Sequence, residues 1–239
     1  PFDFDSAKEL NRLVDVFKIS SSDITNKPFI EYICKFKKPI ILSTGASNLE
    51  EIKNALSWVS LPKKKIMLLH CILSYPTKNE DANLGMIKDL QLNFPQIKIG
   101  YSDHTEPGNM IVTNLAFLLG CVLVEKHFTF NKKLKGNDHY HSADKNDLIN
   151  LRNSLSQNKL ILGSMKKKVI DAEKKSRIYA RRSIVANNFI GKNKKILKKD
   201  LTFKRPGTGI PPFYLEKVIS KISKKDIKKD ALIKFKDLF

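Results

Sequence analysis

The chain has 239 residues, 41% of them hydrophobic, so it can bury a sizeable core in one large or two smaller domains. Its 44 Lys and Arg exceed its 24 Asp and Glu, giving a net charge of +20, but Arg is scarce and no basic stripe is interleaved with aromatic residues, which argues against nucleic acid as a partner. The excess is mostly Lys, and we interpret it as compositional bias spread along the chain. No apolar run has the length of a membrane span, and Cys34, Cys71 and Cys121 are predicted to be reduced, buried thiols of a cytoplasmic protein.

Five short apolar, β-branched segments recur along the first two thirds of the chain. We predict strands at 16–19, 39–42, 66–69, 97–100 and 121–124. Segments with helical spacing lie around and between them, at 5–15, from a capping box at Ser47–Glu50 toward Trp58, at 84–94, at 109–119 and at 142–162. Strands that alternate with helices in this way predict βαβ units and a parallel sheet.

The remaining third of the chain has a different character. A Lys-rich, weakly apolar segment is predicted to be a linker, and short strand-like runs at 183–185 and 201–203 follow between Gly and Pro residues. We therefore predict a β/α domain at 1–165, a linker at 166–176 and a small β-rich domain at 177–239.

Polar side chains follow every predicted strand. They are Lys18 and 20–23 after the first strand; Ser43, Thr44 and Gly45 after the second; His70 and 74–77 after the third; 101–105 after the fourth; and 125–127, Thr129, Asp138, His139 and His141 after the fifth. Because the active site of a parallel β/α barrel lies at the carboxyl ends of its strands, this pattern predicts an active-site face.

Two of these residues, His104 and His127, follow consecutive strands. Adjacent strands lie about 5 Å apart, so the two imidazoles can share one metal ion and leave further coordination positions open. Asp103 and Glu125 would support the ion or contact substrate. The alternative is that each histidine makes only ordinary hydrogen bonds.

Lys18, Ser21 and Ser43 place a cation and two hydroxyls at the ends of neighbouring strands. This combination suits a phosphate or a carboxylate. The alternative is that the serines are turn residues that cap the next helix.

Several motifs, in order along the whole chain, resemble the sialic acid synthase family. They are 17–23 (FKISSSD), 41–45 (ILSTG), 69–71 with 75–77 (LHC and YPT), 100–105 (GYSDHT) and 124–129 (VEKHFT). The segments 181–183 (RRS) and 204–209 (KRPGTG) resemble the antifreeze-like domain of that family. The resemblance implies a partial TIM-type (β/α) barrel with about five of eight strands, followed by a small antifreeze-like (SAF, β-clip) domain.

The resemblance also implies an activity, the condensation of phosphoenolpyruvate with an N-acetylated amino sugar such as N-acetylmannosamine to a nine-carbon 2-keto acid and phosphate. It implies a divalent cation, usually Mn²⁺, on His104 and His127. Lys18, Ser21 and Ser43 would hold phosphoenolpyruvate, and Tyr75, Glu125 and Asp138 would face the sugar. In a domain-swapped homodimer, Arg205 would contact the N-acetyl group. Leu73 departs from the family's Asn, a loss that Ser74 would compensate, and this leaves the identity of the sugar open.

Two rival interpretations remain. One is another phosphoenolpyruvate-condensing synthase of 3-deoxy keto acids, against which the antifreeze-like segment argues. The other is a non-catalytic or degenerate sugar-binding paralogue, against which the intact Lys18, His104, Glu125 and His127 argue.

The resemblance places residues 1–3 at the close of the family's third strand, so we expect two further strands, carrying an acidic residue and a Lys of the family site, to precede this sequence. A barrel that lacks strands exposes two sheet edges. We therefore predict that these 239 residues alone aggregate readily and release no phosphate from phosphoenolpyruvate with Mn²⁺ and N-acetylmannosamine. A colorimetric phosphate assay checks this, and measurable release above a protein-free blank would contradict it.

Overall fold

Five parallel strands form one sheet in the order in which they occur along the chain. In the computed structural model, which describes residues 1–239, they are β1 (Phe17–Ile19), β2 (Ile40–Ser43), β3 (Ile66–Cys71), β4 (Lys98–Asp103) and β5 (Val124–Lys126). Each strand pairs in parallel with the next, so β1 and β5 are the outer strands. All five carboxyl ends therefore meet at one edge of the sheet.

Helices connect these strands and cover the sheet. They are α1 (Phe4–Leu10), α2 (Lys27–Cys34), α3 (Leu49–Trp58), α4 (Met86–Asn93), α5 (Ile111–Leu118) and α6 (Lys145–Leu162). One helix lies between each pair of consecutive strands, which is the βαβ arrangement. The predicted partial TIM-type barrel with five strands is confirmed.

The core of this unit lies between the sheet and its helices. Phe17, Ile19, Leu42 and Leu68 of the strands are almost completely buried against Ile30 and its helical neighbours. Strands buried in this way consist of near-continuous apolar residues, because helices cover the sheet. The run of apolar residues made them recognisable in the sequence.

Several element boundaries differ from the prediction. The box that opens α3 is formed by Asn48 and Glu51, one residue later than predicted, because the Asn48 side chain accepts from the Glu51 amide at 2.9 Å and Glu51 accepts from the Asn48 amide at 2.8 Å. The fifth strand begins at Val124 instead of residue 121, because Gly120, with a φ of 97°, ends the preceding helical segment and the chain needs 121–123 to reach the sheet. The first helix ends at Leu10 instead of residue 15.

The second compact unit, Ser164–Phe239, is built on a small antiparallel sheet. It contains α7 (Lys174–Tyr179), β6 (Ser183–Ala186), β7 (Leu201–Lys204) and α8 (Leu215–Val218), and β6 pairs antiparallel with β7. Its core is separate and consists of buried aliphatic residues such as Ile184, Ile196 and Ile233. The first unit ends at Gly163, and α7 begins inside the segment that we predicted as a linker.

The positive charge is unevenly distributed between the two units. Ser164–Phe239 holds 23 of the 44 basic residues but only 7 of the 24 acidic ones. The interpretation of a Lys excess spread along the chain is therefore wrong. None of the helices combines the length and apolar character needed to cross a bilayer.

Gly100 allows β4 to lie close to its neighbours. A Cβ at this position would come within 2.6 Å of Leu69 Cδ2 and 2.7 Å of the Leu123 carbonyl oxygen. Gly100→Ala is expected to lower the free energy of unfolding by about 1–3 kcal/mol through overpacking. Urea denaturation measures this. Gly85→Ala is the matched control, because no atom lies within 4 Å of its added Cβ, and equal stability of the two variants would contradict the prediction.

Candidate active site

A cavity of about 420 Å³ opens at the carboxyl ends of the five strands. Residues from all five strands or the positions directly after them line it, together with apolar residues of the segment 1–17. Eight of the eleven predicted site residues lie on its wall: Lys18, Ser21, Ser43, Tyr75, Asp103, His104, Glu125 and His127. The parallel topology alone accounts for this convergence.

Three predicted site residues lie outside the cavity wall. Ser74 is exposed, and its carbonyl oxygen accepts from the Thr77 hydroxyl at 2.8 Å. Asp138 lies on the loop after β5, with His127 in a neighbouring depression. Arg205 belongs to the second unit. The roles predicted for these three residues stay predictions.

Lys18 and Glu125 form an ion pair inside the cavity. The Lys18 Nζ lies 3.2 Å from Glu125 Oε2, and the two side chains are 29% and 38% exposed. The Ser102 hydroxyl donates to the same Glu125 oxygen at 2.8 Å. The pair joins β1 to β5, the two outer strands of the sheet, and leaves the Lys18 ammonium with donor capacity for a bound anion.

Beside Lys18, the serines differ in what they offer to a ligand. The Ser21 oxygen accepts from the Gly45 amide at 2.9 Å, which ties the end of β1 to the turn after β2. The Ser43 Oγ is buried and has no hydrogen-bond partner. A buried hydroxyl without a partner is costly, so a ligand that accepts its proton would remove a penalty.

His104 presents one nitrogen to the cavity. Its Nδ1 lies 2.7 Å from the Ile72 carbonyl oxygen, which can only accept, so Nδ1 carries the proton and Nε2 keeps its lone pair. Burial lowers the pKa of His104 below its ordinary value, and the neighbouring His127 lowers it further. The ring is therefore neutral near pH 7, as a metal ligand must be.

The two predicted metal ligands are correctly spaced for one ion. Their ring centres are 5.3 Å apart. Imidazoles that share an ion at metal–nitrogen distances of about 2.1 Å have ring centres about 5 Å apart. The Tyr75 ring lies beside both, 4.2 Å from the His104 centre and 5.6 Å from that of His127, and burial raises the pKa of its phenol. The nitrogen donors present fit a divalent transition metal.

His141, which was counted in the predicted active-site face but given no role, contacts His127. Its Nε2 lies 3.3 Å from the His127 Nδ1 and 3.9 Å from Asp138 Oδ1. Ligand atoms of these three residues all lie within 4.8 Å of one another. His141 is buried, and burial lowers its pKa.

The carboxylate of Asp103 is saturated by internal contacts. It accepts from the Thr105 amide and hydroxyl, from the Thr113 hydroxyl at 2.8 Å and from the Lys126 ammonium at 2.8 Å. Asp103 and Lys126 side chains are 1% and 4% exposed. These bonds give Asp103 an internal role at the end of β4, and its predicted contact with substrate stays a prediction.

Sequence reasoning counted Ser102 and His141 among the polar residues of the active-site face but gave neither of them a role. Ser102 lies directly opposite Glu125 in the pairing of β4 with β5, so its position follows from the strand register. His141 is 14 residues from His127, and a loop returns it to the end of β5 by way of a hydrogen bond from the Ala143 amide to the His127 carbonyl oxygen, 2.8 Å long. The sequence contained no spacing rule for that loop.

Comparison with known families agrees with this fold. Residues 1–167 match the NeuB family, and residues 181–238 match the SAF domain. The chain belongs to the NeuB family, which includes synthases of sialic, legionaminic and pseudaminic acids.

Individual relatives match between 74% and 100% of this chain. The N,N'-diacetyllegionaminic acid synthase of Campylobacter jejuni is 37% identical over 238 residues, which are 98% of this chain and 70% of that protein. The N-acetylneuraminic acid synthetase of Leptospira borgpetersenii, solved with citrate, is 34% identical with a TM-score of 0.67, over 74% of this chain and 61% of that one. A spore coat polysaccharide biosynthesis protein E from Chromobacterium violaceum has a TM-score of 0.84 over 100% of this chain and 72% of its own, but at 24% identity it supports the fold alone.

The buried Asp103–Lys126 pair gives a stability prediction. Lys126→Met leaves the carboxylate buried without its cation, and we expect a loss of about 3–5 kcal/mol in the free energy of unfolding. Lys27→Met, which removes an exposed pair with Glu31, should cost less than about 1 kcal/mol. Urea denaturation measures the free energy of unfolding of both variants. Losses of similar size would contradict a stabilising role for the buried pair.

Proposed function

We propose that this protein condenses phosphoenolpyruvate with an N-acetylated amino sugar to give a nine-carbon 2-keto acid and phosphate. The observation that carries the proposal is the meeting of Lys18, Ser43, His104 and His127 around one cavity in a chain of the NeuB family. The cavity thus combines groups for an anion with groups for a metal. Relatives named as synthases of sialic and legionaminic acids support the same class of reaction.

The phosphoenolpyruvate site is assigned to the β1–β2 side of the cavity. Lys18 supplies the cation, and the partnerless Ser43 hydroxyl donates to a phosphate or carboxylate oxygen. Ser21, held by the Gly45 amide, supplies a second hydroxyl proton. Charge-assisted hydrogen bonds of this kind are stronger than neutral ones.

The sugar site is assigned to the β3–β5 side. His104 and His127 would hold Mn²⁺ or another divalent cation, which supplies Lewis acidity toward the sugar aldehyde. Tyr75, Glu125 and Asp138 are proposed to contact the sugar hydroxyls. The Lys18–Glu125 pair joins the two sides of the site, so it can keep both substrates correctly placed relative to each other.

The reaction requires a defined order of bond changes. Carbon 3 of phosphoenolpyruvate attacks the aldehyde carbon, whose oxygen takes up a proton as it becomes a hydroxyl. Water adds at carbon 2 and gives up one proton, and the new hydroxyl loses its other proton to become the keto group as phosphate leaves with cleavage of the bond between that carbon and the bridging oxygen. The residues of the cavity position the two substrates within reacting distance, which is a large part of catalysis in bimolecular reactions.

Two further features belong to the proposal. The second unit, matched to the SAF domain, would reach the barrel of a partner in a domain-swapped homodimer, and Arg205 would contact the N-acetyl group there. The sugar would be N-acetylmannosamine or a related 2-acetamido sugar. The protein would act in the cytoplasm.

Binding of phosphoenolpyruvate can be measured on the full-length protein without any turnover. Lys18→Met is expected to weaken it by about 10- to 100-fold, because a charged hydrogen bond contributes about 1.5–3 kcal/mol. Titration calorimetry gives the dissociation constant. Lys53→Met, an exposed change on α3, is the control, and equal affinity of the two variants would contradict the assigned anion site.

Activity is tested on the protein expressed from its complete reading frame. Phosphate release is measured with phosphoenolpyruvate, Mn²⁺ and a panel of N-acetylmannosamine, a 2,4-diacetamido hexose and phosphorylated aldoses that lack an acetamido group. The proposal expects turnover of an acetamido sugar that is lost in His104→Ala. Turnover of the phosphorylated aldoses alone would indicate a 3-deoxy-keto-acid synthase. Absence of both turnover and metal binding would indicate a degenerate paralogue.

A further inference from the structure

The two proposed metal ligands are oriented by different kinds of partner. The His104 Nδ1 faces a carbonyl oxygen at 2.7 Å, which fixes the tautomer because a carbonyl cannot donate. The His127 Nδ1 faces another imidazole, His141 Nε2, at 3.3 Å. An imidazole can donate or accept, so the protonation pattern of His141 decides which nitrogen of His127 has a free lone pair.

His141 is firmly held in this position. It is 2% exposed, and its loop is tied to the end of β5 by hydrogen bonds from the Ala143 amide to the His127 carbonyl oxygen and from the Thr129 amide to the Ala143 carbonyl oxygen. The Ser142 hydroxyl also donates to the Asp138 carbonyl oxygen at 2.5 Å. The backbone at the end of β5 therefore fixes the position of His141 beside His127.

The remaining nitrogen of His141 makes no hydrogen bond. Its Nδ1 is buried without a partner, so the contact with His127 is the only hydrogen bond of the ring. A buried imidazole with a single bond is an unusual use of a polar residue in a core. A purely structural role would be filled better by an apolar side chain of the same shape, which points to a role for the contact itself.

We propose that His141 is a positioning residue for His127. The His141 Nε2 accepts a hydrogen bond from the His127 Nδ1–H, so the lone pair of the His127 Nε2 is free for the metal ion. The inference rests on the proposed function, because it assumes an ion between His104 and His127. An ion at the His127 Nε2 requires the proton on Nδ1, and His141 Nε2 lies within hydrogen-bond distance of that proton. Residues that hydrogen-bond to a metal ligand in this way commonly change metal affinity by about 10- to 100-fold.

Metal affinity tests the proposal without any turnover. Mn²⁺ alone is titrated by calorimetry into the wild type and three variants. His141→Phe keeps the ring but removes the acceptor and should weaken binding by about 10- to 100-fold. His141→Gln offers an acceptor at similar reach and should recover most of the affinity, whereas Lys135→Met, an exposed change in the same loop, should leave it unchanged. Equal affinity of His141→Phe and wild type would overturn the proposal.

The tautomer of His127 is read separately by NMR of the metal-free protein with ¹⁵N-labelled histidine. The proposal expects His127 to be protonated at Nδ1 in the wild type and to change its tautomer population in His141→Phe. A His127 protonated at Nε2 in the wild type would overturn it. If Mn²⁺ does not bind the wild type, the metal site of the proposed function fails, while this spectrum still decides the His127–His141 bond.

The same labelled protein also tests whether the ion lies among His127, His141 and Asp138. If Zn²⁺ shifts the His127 Nδ1 and His141 Nε2 signals together, the ion lies among His127, His141 and Asp138, whose ligand atoms are within 4.8 Å of one another. That result would also overturn the positioning role. A Zn²⁺-dependent shift at the Nε2 of His104 and of His127 would support it.

Discussion

The buried ion pair between Asp103 and Lys126 is the contact on which the geometry of the site depends. The two residues are directly opposite each other in the pairing of β4 with β5, and their charged atoms are 2.8 Å apart in an almost dry environment. His104 and His127 directly follow Asp103 and Lys126, the last residues of β4 and β5. Since breaking a buried pair is strongly destabilising, the separation of the two imidazoles is fixed by the sheet itself.

A second pair of a lysine with a carboxylate, Lys18 with Glu125, lies inside the cavity and is more exposed than the first. Lys18 and Glu125 join the outer strands but remain partly open to solvent, so Lys18 can exchange some of its interaction for a bound anion at small cost. One pair thus supports the fold, and the other stays available for chemistry. The difference between them is burial, since both are Lys–carboxylate pairs on neighbouring residues of β5.

Most of the sheet and much of the site could be predicted because both depend on strands. Apolar runs mark β1 to β4 closely, and the parallel order then brings Lys18, Ser43, His104 and Glu125 to one edge. The contacts of His141 and Ser102, which depend on a loop path and on exact register, were not predicted, and the start of β5 was misplaced. Sequence patterns do not encode that a loop brings His141 back to His127, 14 residues earlier, nor which of two adjacent residues, Ser47 or Asn48, caps a helix.

In the proposed active site, the ends of β4 and β5 hold one divalent cation beside a phosphoenolpyruvate site on β1 and β2. X-ray diffraction from crystals of the protein with Mn²⁺ and phosphoenolpyruvate, recorded at the manganese absorption edge, tests this most directly. We expect one anomalous peak bonded to the Nε2 atoms of His104 and His127, with the phosphate or carboxylate against Lys18 and Ser43. A peak bonded instead to His127 Nδ1, His141 and Asp138, or no ordered manganese in the cavity, would contradict it.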